Sequence, residues 1–377
     1  MPSDFDAMVI GGGLLGATAA LFLARGGMRV ALFERGPLCR EASGTNAGTL
    51  TMQMTRVALI PFALEGHAMW KSARDWLGHD VGMVTCDGLS LAFTEQEAEL
   101  LSDRATKRRE AGAPISLLTP EEAQEVEPGI SPDILLAGHC PVDGFTAAYE
   151  TGKAFRVALL EAGVAVYEHT PASRVEAEDV GYSVISESQG TTRGRRLILA
   201  GGVWIEPMLA WLGVQLPIKT LVNQLVVTER MAPIMRTVVG IASGLLSLKQ
   251  YSNGTVLIGG GWQGIGNREE GGYALRPEAL IGNVRLACHA IPALRGARLA
   301  RAWAGLEAET DDALPAVGPV PGHDDAYVCG SVHSGYTSGL AIARHLAAHI
   351  LGEGPGPELF PIDRLLQHTV PTSTRET

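Results

Sequence analysis

Residues 7–24 read AMVIGGGLLGATAALFLA, an uncharged run that decides the fold. A membrane-spanning helix needs about 20 mostly apolar residues, and a signal peptide carries positive charge ahead of its apolar core. Here Asp4 and Asp6 precede the run, and its glycines are clustered rather than scattered. The run therefore predicts a buried segment of a soluble chain, without a signal or a transmembrane segment.

The glycines of this run have the Gly-x-Gly-x-x-Gly spacing of a phosphate-binding turn. The residues around them predict a βαβ unit, made of a strand Ala7–Ile10, a helix Leu14–Arg25 and a second strand that ends at Glu34. In such a unit the first glycine permits the turn, the second lets the backbone approach a pyrophosphate, and the third lets the helix pack on the strand. The predicted phosphate contacts are Gly11, Gly13, Leu14, Leu15 and Gly16.

The acid at the end of the second strand predicts which nucleotide binds. Glu34 is placed to accept hydrogen bonds from ribose hydroxyls, and its charge would repel a 2′-phosphate, so NADP is disfavoured. The turn alone does not distinguish NAD from FAD.

Composition narrows the class of protein. The chain has 377 residues, which predicts two domains, and 46% of them are hydrophobic, as in a globular protein. Its net charge of −11, without a basic tract, argues against a nucleic-acid partner. The five cysteines are scattered singly, which suits a reducing cytoplasm and predicts no metal site.

Beyond the first unit the pattern alternates between helices and strands. Thr94-x-x-Glu97 and Thr119-Pro-x-Glu122 predict capping boxes. Residues 216–262 are nearly all strand-like, and Asn253-Gly254 predicts a tight hairpin turn with both residues at positive φ. Further helices are predicted for 147–163, from Pro277 and over Gly335–His349.

This layout predicts an α/β fold, in which a Rossmann-like domain is interrupted by a mostly antiparallel sheet. The predicted ranges are 1–85, 145–215 and 300–377 for the nucleotide domain, and 86–144 and 216–299 for the substrate domain.

A resemblance to a known family emerges downstream of the turn. The stretch ERGPLCREASGTNAG (34–48) resembles the second FAD contact of the D-amino-acid-oxidase superfamily, whose members include glycine and sarcosine oxidases, proline dehydrogenase and opine oxidase subunits. The resemblance implies that FAD is the cofactor. It implies contacts from Arg35, Ser43, Thr45, Asn46, Ala47 and Gly48, where small side chains let backbone amides approach a flat ring.

Four later stretches agree with the same family. LAGGVW (199–204) and ASRVEA (172–177) resemble segments that approach the cofactor and its adenine, and RAWAGLEAETDDALPAVGPV (301–320) and CGSVHSGYTSG (329–339) resemble the family's closing segments. A helix N-terminus in the last stretch would stabilise negative charge on a reduced flavin. The implied contacts are Val175, Ala200, Gly201, Trp204, Gly305, Gly335, Tyr336, Thr337 and Ser338. No Cys or His stands in the family's covalent-flavin contexts, so non-covalent FAD is expected.

The resemblance implies removal of a hydride from the carbon beside the nitrogen of an amino acid or secondary amine, giving an imine. Glycine-, sarcosine-, proline- and opine-like substrates are all compatible. Many relatives hold the substrate carboxylate with an arginine directly after W-x-G-x, but here that residue is Glu307. Glu307 either meets a cationic amine or pairs with Arg301 or Arg56. A carboxylate, if one is bound, would fall to Arg268 or Arg56.

Other candidates concern the electron acceptor. Fast oxidases of the family have a lysine just after the glycines that correspond to LIGGGWQG (257–264), where this chain has Trp262 and Gln263. Lys249 on the neighbouring strand is the nearest lysine in sequence, and His333 matches a position near the flavin ring. These residues favour a dehydrogenase that passes electrons to a quinone or a partner subunit, in the cytoplasm or bound peripherally to the inner face of a membrane.

Two alternatives stay open from the sequence. The same fold also carries 2-hydroxyacid dehydrogenases, which oxidise a C–OH bond. A non-catalytic flavoprotein that serves as an assembly or scaffold subunit is the other alternative.

Overall fold

The computed structural model describes residues 4–269, 272–333, 335–354 and 356–366. Within them the strands are β1 (Phe5–Ile10), β2 (Val30–Phe33), β3 (Thr49–Leu50), β4 (Val84–Ala92), β5 (Ser116–Leu118), β6 (Leu136–Phe145), β7 (Ala165–Tyr167), β8 (Ala172–Ala177), β9 (Tyr182–Ser186), β10 (Gly190–Leu199), β11 (Lys219–Thr228), β12 (Val238–Ile241), β13 (Ser247–Gln250), β14 (Val256–Gly259), β15 (Ile265–Asn267), β16 (Gly272–Ala274), β17 (Leu299–Glu309), β18 (Ala316–Pro319) and β19 (Ala326–Gly330). The helices are α1 (Leu14–Arg25), α2 (Ala42–Thr45), α3 (Ile60–Lys71), α4 (Ala73–Leu77), α5 (Glu95–Glu110), α6 (Pro120–Val126), α7 (Ala148–Glu161), α8 (Ile205–Ala210), α9 (Pro277–Ala290), α10 (Gly335–Leu351) and α11 (Asp363–Leu366).

The uncharged run forms β1, the glycine turn and α1, as the sequence predicts. β1 lies between β2 and β10, and α1 packs against α10, so Met8, Val9, Ala17 and Leu21 have no exposed surface. The absence of charge thus reflects burial inside the protein. None of the described helices is long and apolar enough to cross a bilayer.

The first sheet has the strand order β18-β19-β10-β1-β2-β7; in addition, β9 pairs with β10, and β8 pairs with β9. Strands β7, β2, β1, β10 and β19 are parallel, whereas β18, β9 and β8 pair antiparallel with their neighbours. Because the carboxyl ends of parallel strands meet at one edge, the glycine turn after β1, Glu34 after β2 and Ala200 after β10 lie together.

The second sheet has the order β17-β11-β14-β13-β12-β4-β6-β3, with β5 beside β6. Its pairs are antiparallel except β12 with β4, in agreement with the predicted mixed α/β fold. This sheet includes β3 (Thr49–Leu50) and β17 (Leu299–Glu309). The predicted ranges assign β3 and nearly all of β17 to the nucleotide domain instead. The domain division stays a prediction.

Two local predictions need correction. Thr119 and Glu122 form a reciprocal capping box. Thr94 caps α5 by accepting the Glu97 N–H, but the return bond is missing because the Glu97 carboxylate accepts the Phe93 N–H instead of the Thr94 N–H. In the hairpin between β13 and β14, only the glycine of Asn253-Gly254 has positive φ (+88°). The Tyr251 N–H donates to the Thr255 carbonyl and closes a loop that is longer than a two-residue turn.

Candidate active site

The glycine turn is packed as the motif requires. Gly11 has φ +106°, and a methyl group on it would lie 2.4 Å from the Ala200 carbonyl oxygen. A methyl group on Gly16 would lie 1.9 Å from the Gly11 carbonyl oxygen. At Gly13, the N-cap of α1, the nearest atom to such a methyl is Ser43 Oγ at 3.3 Å. The first and third glycines are therefore required by the fold, and the middle one faces the 42–48 tract.

Glu34 ties the turn to the second strand. Its Oε2 accepts the Gly12 N–H at 2.7 Å, and its Oε1 accepts the Gly36 N–H at 2.8 Å. The Glu34 carboxylate thus holds both the glycine turn after β1 and the backbone just after β2. Its contact with a ribose stays a prediction.

Two candidates on the adenine side contact each other. The Arg35 guanidinium lies 3.5 Å from the ring centroid of Trp204 and pairs with Glu41 at 2.8 Å. Val175, in β8, is 1% exposed, and Gly201 follows Ala200 beside the turn. Gly201 lies beside Gly11 of the glycine turn, and the contact of Val175 with the adenine stays a prediction.

The 42–48 tract is ordered by its own side chains. Ser43 Oγ accepts the Leu14 N–H at 2.9 Å, which joins the tract to the start of α1. The Asn46 amide donates to the Ser43 carbonyl at 2.7 Å and accepts the Gly48 N–H at 2.6 Å. Gly48 has φ +67° and no room for a methyl group beside the Thr146 carbonyl. The Asn46 side chain therefore shapes the tract, and the predicted contact of Asn46 with the cofactor stays a prediction.

The same tract contacts the second sheet. A methyl group on Gly305 would lie 2.1 Å from Thr45 Oγ1, and Trp303 Nε1 donates to the Thr45 carbonyl at 2.8 Å. Ala47 lies beside Gly259 of β14. Glycines in β17 and β14 thus let the second sheet approach the tract closely.

Tyr336, predicted to face the cofactor, points into the core. Its hydroxyl is hydrogen-bonded to Thr146 Oγ1 (2.8 Å) and Thr151 Oγ1 (2.6 Å), and its ring stacks on Trp70 with centroids 4.8 Å apart. Burial raises the pKa of the Tyr336 hydroxyl far above its ordinary value. The Tyr336 side chain anchors α10.

The first turn of α10 lies next to that of α1, and its contact with the flavin stays a prediction. Thr337 Oγ1 accepts the Thr51 N–H at 3.3 Å, Ser338 is fully buried, and Gly335 is the first helical residue. Gly339 lies against Leu15 of α1. Two helix N-termini, which favour anions, therefore lie side by side, and Gly13 at the first of them lies beside Ser43 of the tract. These features fit FAD, with its pyrophosphate and flat ring.

Beyond this cradle, a polar cluster contains the residue that replaces the usual arginine. Glu307 Oε2 accepts from Asn223 Nδ2 at 2.5 Å, and its Oε1 lies 3.3 Å from His333 Nδ1. Glu309 Oε2 lies 3.8 Å from the same nitrogen and pairs with Arg56 at 3.0 Å. Glu307 is thus paired with neither Arg56 nor Arg301, the two structural partners that the sequence suggested.

Lys249 is fully buried beside the tract. Its Nζ donates to Thr49 Oγ1, which is also 2.9 Å from Ser247 Oγ. Burial lowers the pKa of Lys249 to about 7, because the ammonium loses its hydration.

Two other candidates do not join the cluster. Arg268 pairs with Glu206, and its side chain is only 8% exposed, so it is already occupied. Trp262 Nε1 donates to the Leu245 carbonyl at 2.9 Å, and its ring packs on Gly282 of α9. The Trp262 side chain faces away from the Glu307 cluster, whereas that of Gln263 faces toward it, because consecutive side chains of an extended segment point to opposite sides.

Several polar residues of this region were not found from the sequence. Asn223 interrupts the apolar strand KTLVNQLVVT, which is the signal that marks it. Asp143 of β6 accepts the Thr51 hydroxyl at 2.6 Å and the Met52 N–H at 2.9 Å, and burial raises its pKa to about 6. No local pattern announces Asp143, because its partners lie about ninety residues away in the chain.

Comparison with known proteins defines the class. The family model described as "FAD dependent oxidoreductase" (DAO) matches residues 6–349. Glycine oxidase of Geobacillus kaustophilus is 29% identical over 85% of this chain and 86% of its own length. An opine oxidase subunit of Rhizobium meliloti is 25% identical over 89% of this chain and 90% of its own length.

Structural comparison agrees with these matches. The crystal structure of Geobacillus kaustophilus glycine oxidase superposes with a TM-score of 0.85 at 25% identity, covering 97% of this chain and 99% of that one. The chain belongs to the DAO family of FAD-dependent oxidoreductases. It is an FAD-dependent enzyme that oxidises the C–N unit of an amino acid or amine, as the sequence predicts.

Proposed function

We propose that the enzyme is a dehydrogenase for a glycine-, sarcosine-, proline- or opine-like amine whose nitrogen lies next to Glu307. The observation that carries this proposal is the replacement of the usual arginine by Glu307, which Asn223 and His333 contact and which pairs with no arginine among the described residues. A carboxylate at this position attracts a protonated nitrogen and repels a substrate carboxylate.

FAD, when bound, supplies the hydride acceptor. The cradle residues would hold it without a covalent bond, with the pyrophosphate at α1 and the flavin near α10. An ammonium must lose a proton before its neighbouring C–H can leave as a hydride. Glu307 Oε1 would accept the N–H of the substrate, and His333 Nδ1, 3.3 Å away, would help to move that proton.

The acceptor is proposed to be a quinone or a partner subunit. Trp262 and Gln263 stand where fast oxidases have a lysine, and Gln263 is engaged in hydrogen bonds with Asn223 and the Val222 N–H. We propose that Lys249, which is buried and donates to Thr49, favours negative charge on the reduced cofactor. Similarity to a protein named as an oxidase subunit supports a partner. We place the enzyme in the cytoplasm or at the inner face of a membrane.

Anaerobic mixing with a library of amines, amino acids and 2-hydroxy acids tests this function. We expect a glycine-, sarcosine-, proline- or opine-like amine to bleach the flavin absorbance, and a quinone or dye to restore it faster than oxygen does. Reduction by hydroxy acids alone, or none with any compound, would refute the proposal.

A further inference from the structure

An amide relay, defined as the side chains of Gln263 and Asn223, connects the β11 backbone to Glu307. The Val222 N–H donates to Gln263 Oε1 at 2.7 Å, and Gln263 Nε2 donates to Asn223 Oδ1 at 2.6 Å. Asn223 Nδ2 then donates to Glu307 Oε2 at 2.5 Å. The relay ends on the residue that replaces the usual arginine.

The direction of the relay is set by its first step. A backbone N–H can only donate, so Gln263 must turn its carbonyl oxygen toward Val222 and its NH₂ toward Asn223. Asn223 must then accept with its oxygen and donate with its nitrogen. Each amide has one end of each kind, so the partner at the end of the relay must be an acceptor. An ionised carboxylate meets this requirement with both oxygens.

Glu307 is consequently held with one oxygen committed and one available. Oε2 receives the relay, and Oε1 faces His333 Nδ1 at 3.3 Å. Within the part of the chain that the structure describes, that nitrogen has no aligned hydrogen bond. Oε1 therefore keeps acceptor capacity that the relay does not use.

The relay is not needed to hold the loop that carries Gln263. The backbone of that loop is tied to β11 by the Gly264 N–H to the Val222 carbonyl at 2.7 Å, and the Trp262 indole anchors it to Leu245. The Gln263 side chain is therefore not required to attach the loop, and it serves to orient the Asn223 amide.

We propose that Asn223 and Gln263 are positioning residues that keep Glu307 as an anionic acceptor, so that the site selects a substrate ammonium and rejects a carboxylate in its place. This selectivity rests on the proposed function of Glu307.

A double-mutant cycle on the FAD-loaded enzyme tests the relay. The variants are Asn223→Ala, Glu307→Gln and the double variant, and the probes are dimethylammonium and acetate. Affinities come from the change in flavin absorbance on binding, which needs no turnover. The ratio of the two dissociation constants is the readout, because a purely structural loss would change both together.

We expect Asn223→Ala to lower the preference for dimethylammonium over acetate about 10-fold, equivalent to about 1.4 kcal/mol, and to have little further effect in Glu307→Gln. Gln263→Leu should give a smaller shift in the same direction, and it stands in if Asn223→Ala does not fold. Gln250→Ala removes an amide of the same sheet that bonds Ile234, Ala232 and Gly254, and is the matched control.

Equal effects of Asn223→Ala in both backgrounds, or a shift no larger than that of Gln250→Ala, would overturn the relay. Because the titration requires only bound FAD, it can succeed or fail independently of whether any amine bleaches the flavin. Steady-state kinetics with a turned-over amine should place the effect of Gln263→Leu on KM more than on kcat.

Discussion

Gly305 of β17 lies against Thr45 of the 42–48 tract so closely that a methyl group on the glycine would sit 2.1 Å from the threonine Oγ1 and 2.9 Å from its Cβ. Thr45 is short and its carbonyl is held by Trp303, so it has little freedom to move aside. This contact sets the separation of the second sheet from the tract.

Gly305→Ala should therefore displace the tract and weaken FAD binding about 5- to 100-fold, since overpacking costs on the order of 1–3 kcal/mol. The dissociation constant of FAD, from flavin fluorescence quenching, is the measurement. Gly296→Ala is the control, because a methyl there meets no atom within 4 Å. Unchanged FAD affinity in Gly305→Ala would contradict the assigned contact.

Glu34→Gln should weaken FAD binding about 5- to 100-fold. The carboxylate accepts the Gly12 and Gly36 N–H groups with separate oxygens, and an amide has only one oxygen, so one N–H would lose its acceptor at a cost of about 1–3 kcal/mol. Equilibrium dialysis with FAD measures the effect. Glu176→Gln, at an exposed pair with Arg174, should leave the affinity as it is.

The stability of the Asp143→Asn variant relative to wild type should increase as pH rises from about 4 to 7. Burial raises the folded-state pKa of Asp143 to about 6, above its ordinary 3.8. The folded state thus holds the proton more tightly, and the stability this provides is lost as pH rises through 6. Between pH 4 and pH 7 the difference in stability between variant and wild type should change by about 2 kcal/mol. Tm measured across this range tests it, and a constant difference would contradict it.

Lys249→Met should raise Tm, and the gain should be larger at pH 6 than at pH 9. Burial lowers the folded-state pKa of Lys249 from 10.5 to about 7, so folding disfavours its charged form, and this cost shrinks as pH rises toward the unfolded pKa. If Lys249 favours negative charge on the reduced cofactor, the stabler variant will also be bleached more slowly by amine. A loss of stability at pH 6 would contradict the prediction.

Tyr336→Phe should lower stability by about 1–3 kcal/mol while the protein keeps its FAD. The substitution deprives Thr146 and Thr151 of their shared partner in the core but leaves the backbone of α10 in place. Thermal unfolding and the flavin-to-protein absorbance ratio separate the two effects. Tyr149→Phe, at a residue 70% exposed, is the control. Loss of FAD without loss of stability would instead assign Tyr336 to the cofactor.

The phosphate-binding unit was predictable because its interactions are local. The spacing of Gly11, Gly13 and Gly16, the helix after them and the acid at position 34 all lie within about thirty residues, and each has a backbone reason. Boundaries were less well predicted: the second strand ends at Phe33, before Glu34. Tyr336 and Asn46 show the limit, because the resemblance located their segments but not where their side chains point.

The amino-acid sequence by itself determined the fold class and the nucleotide-binding unit, and its resemblance to the family implied FAD and the oxidation of an amine. Glycine spacing and strand–helix alternation depend on backbone sterics that any reader of the chain can apply. Only the tertiary structure decided the partners of Glu307, because Asn223, Gln263 and His333 are separated from it by 84, 44 and 26 positions and meet through the pairing of β11 with β17 and the start of α10. It also decided that Lys249 and Asp143 are buried, since desolvation depends on what packs around a group and not on its neighbours in the chain.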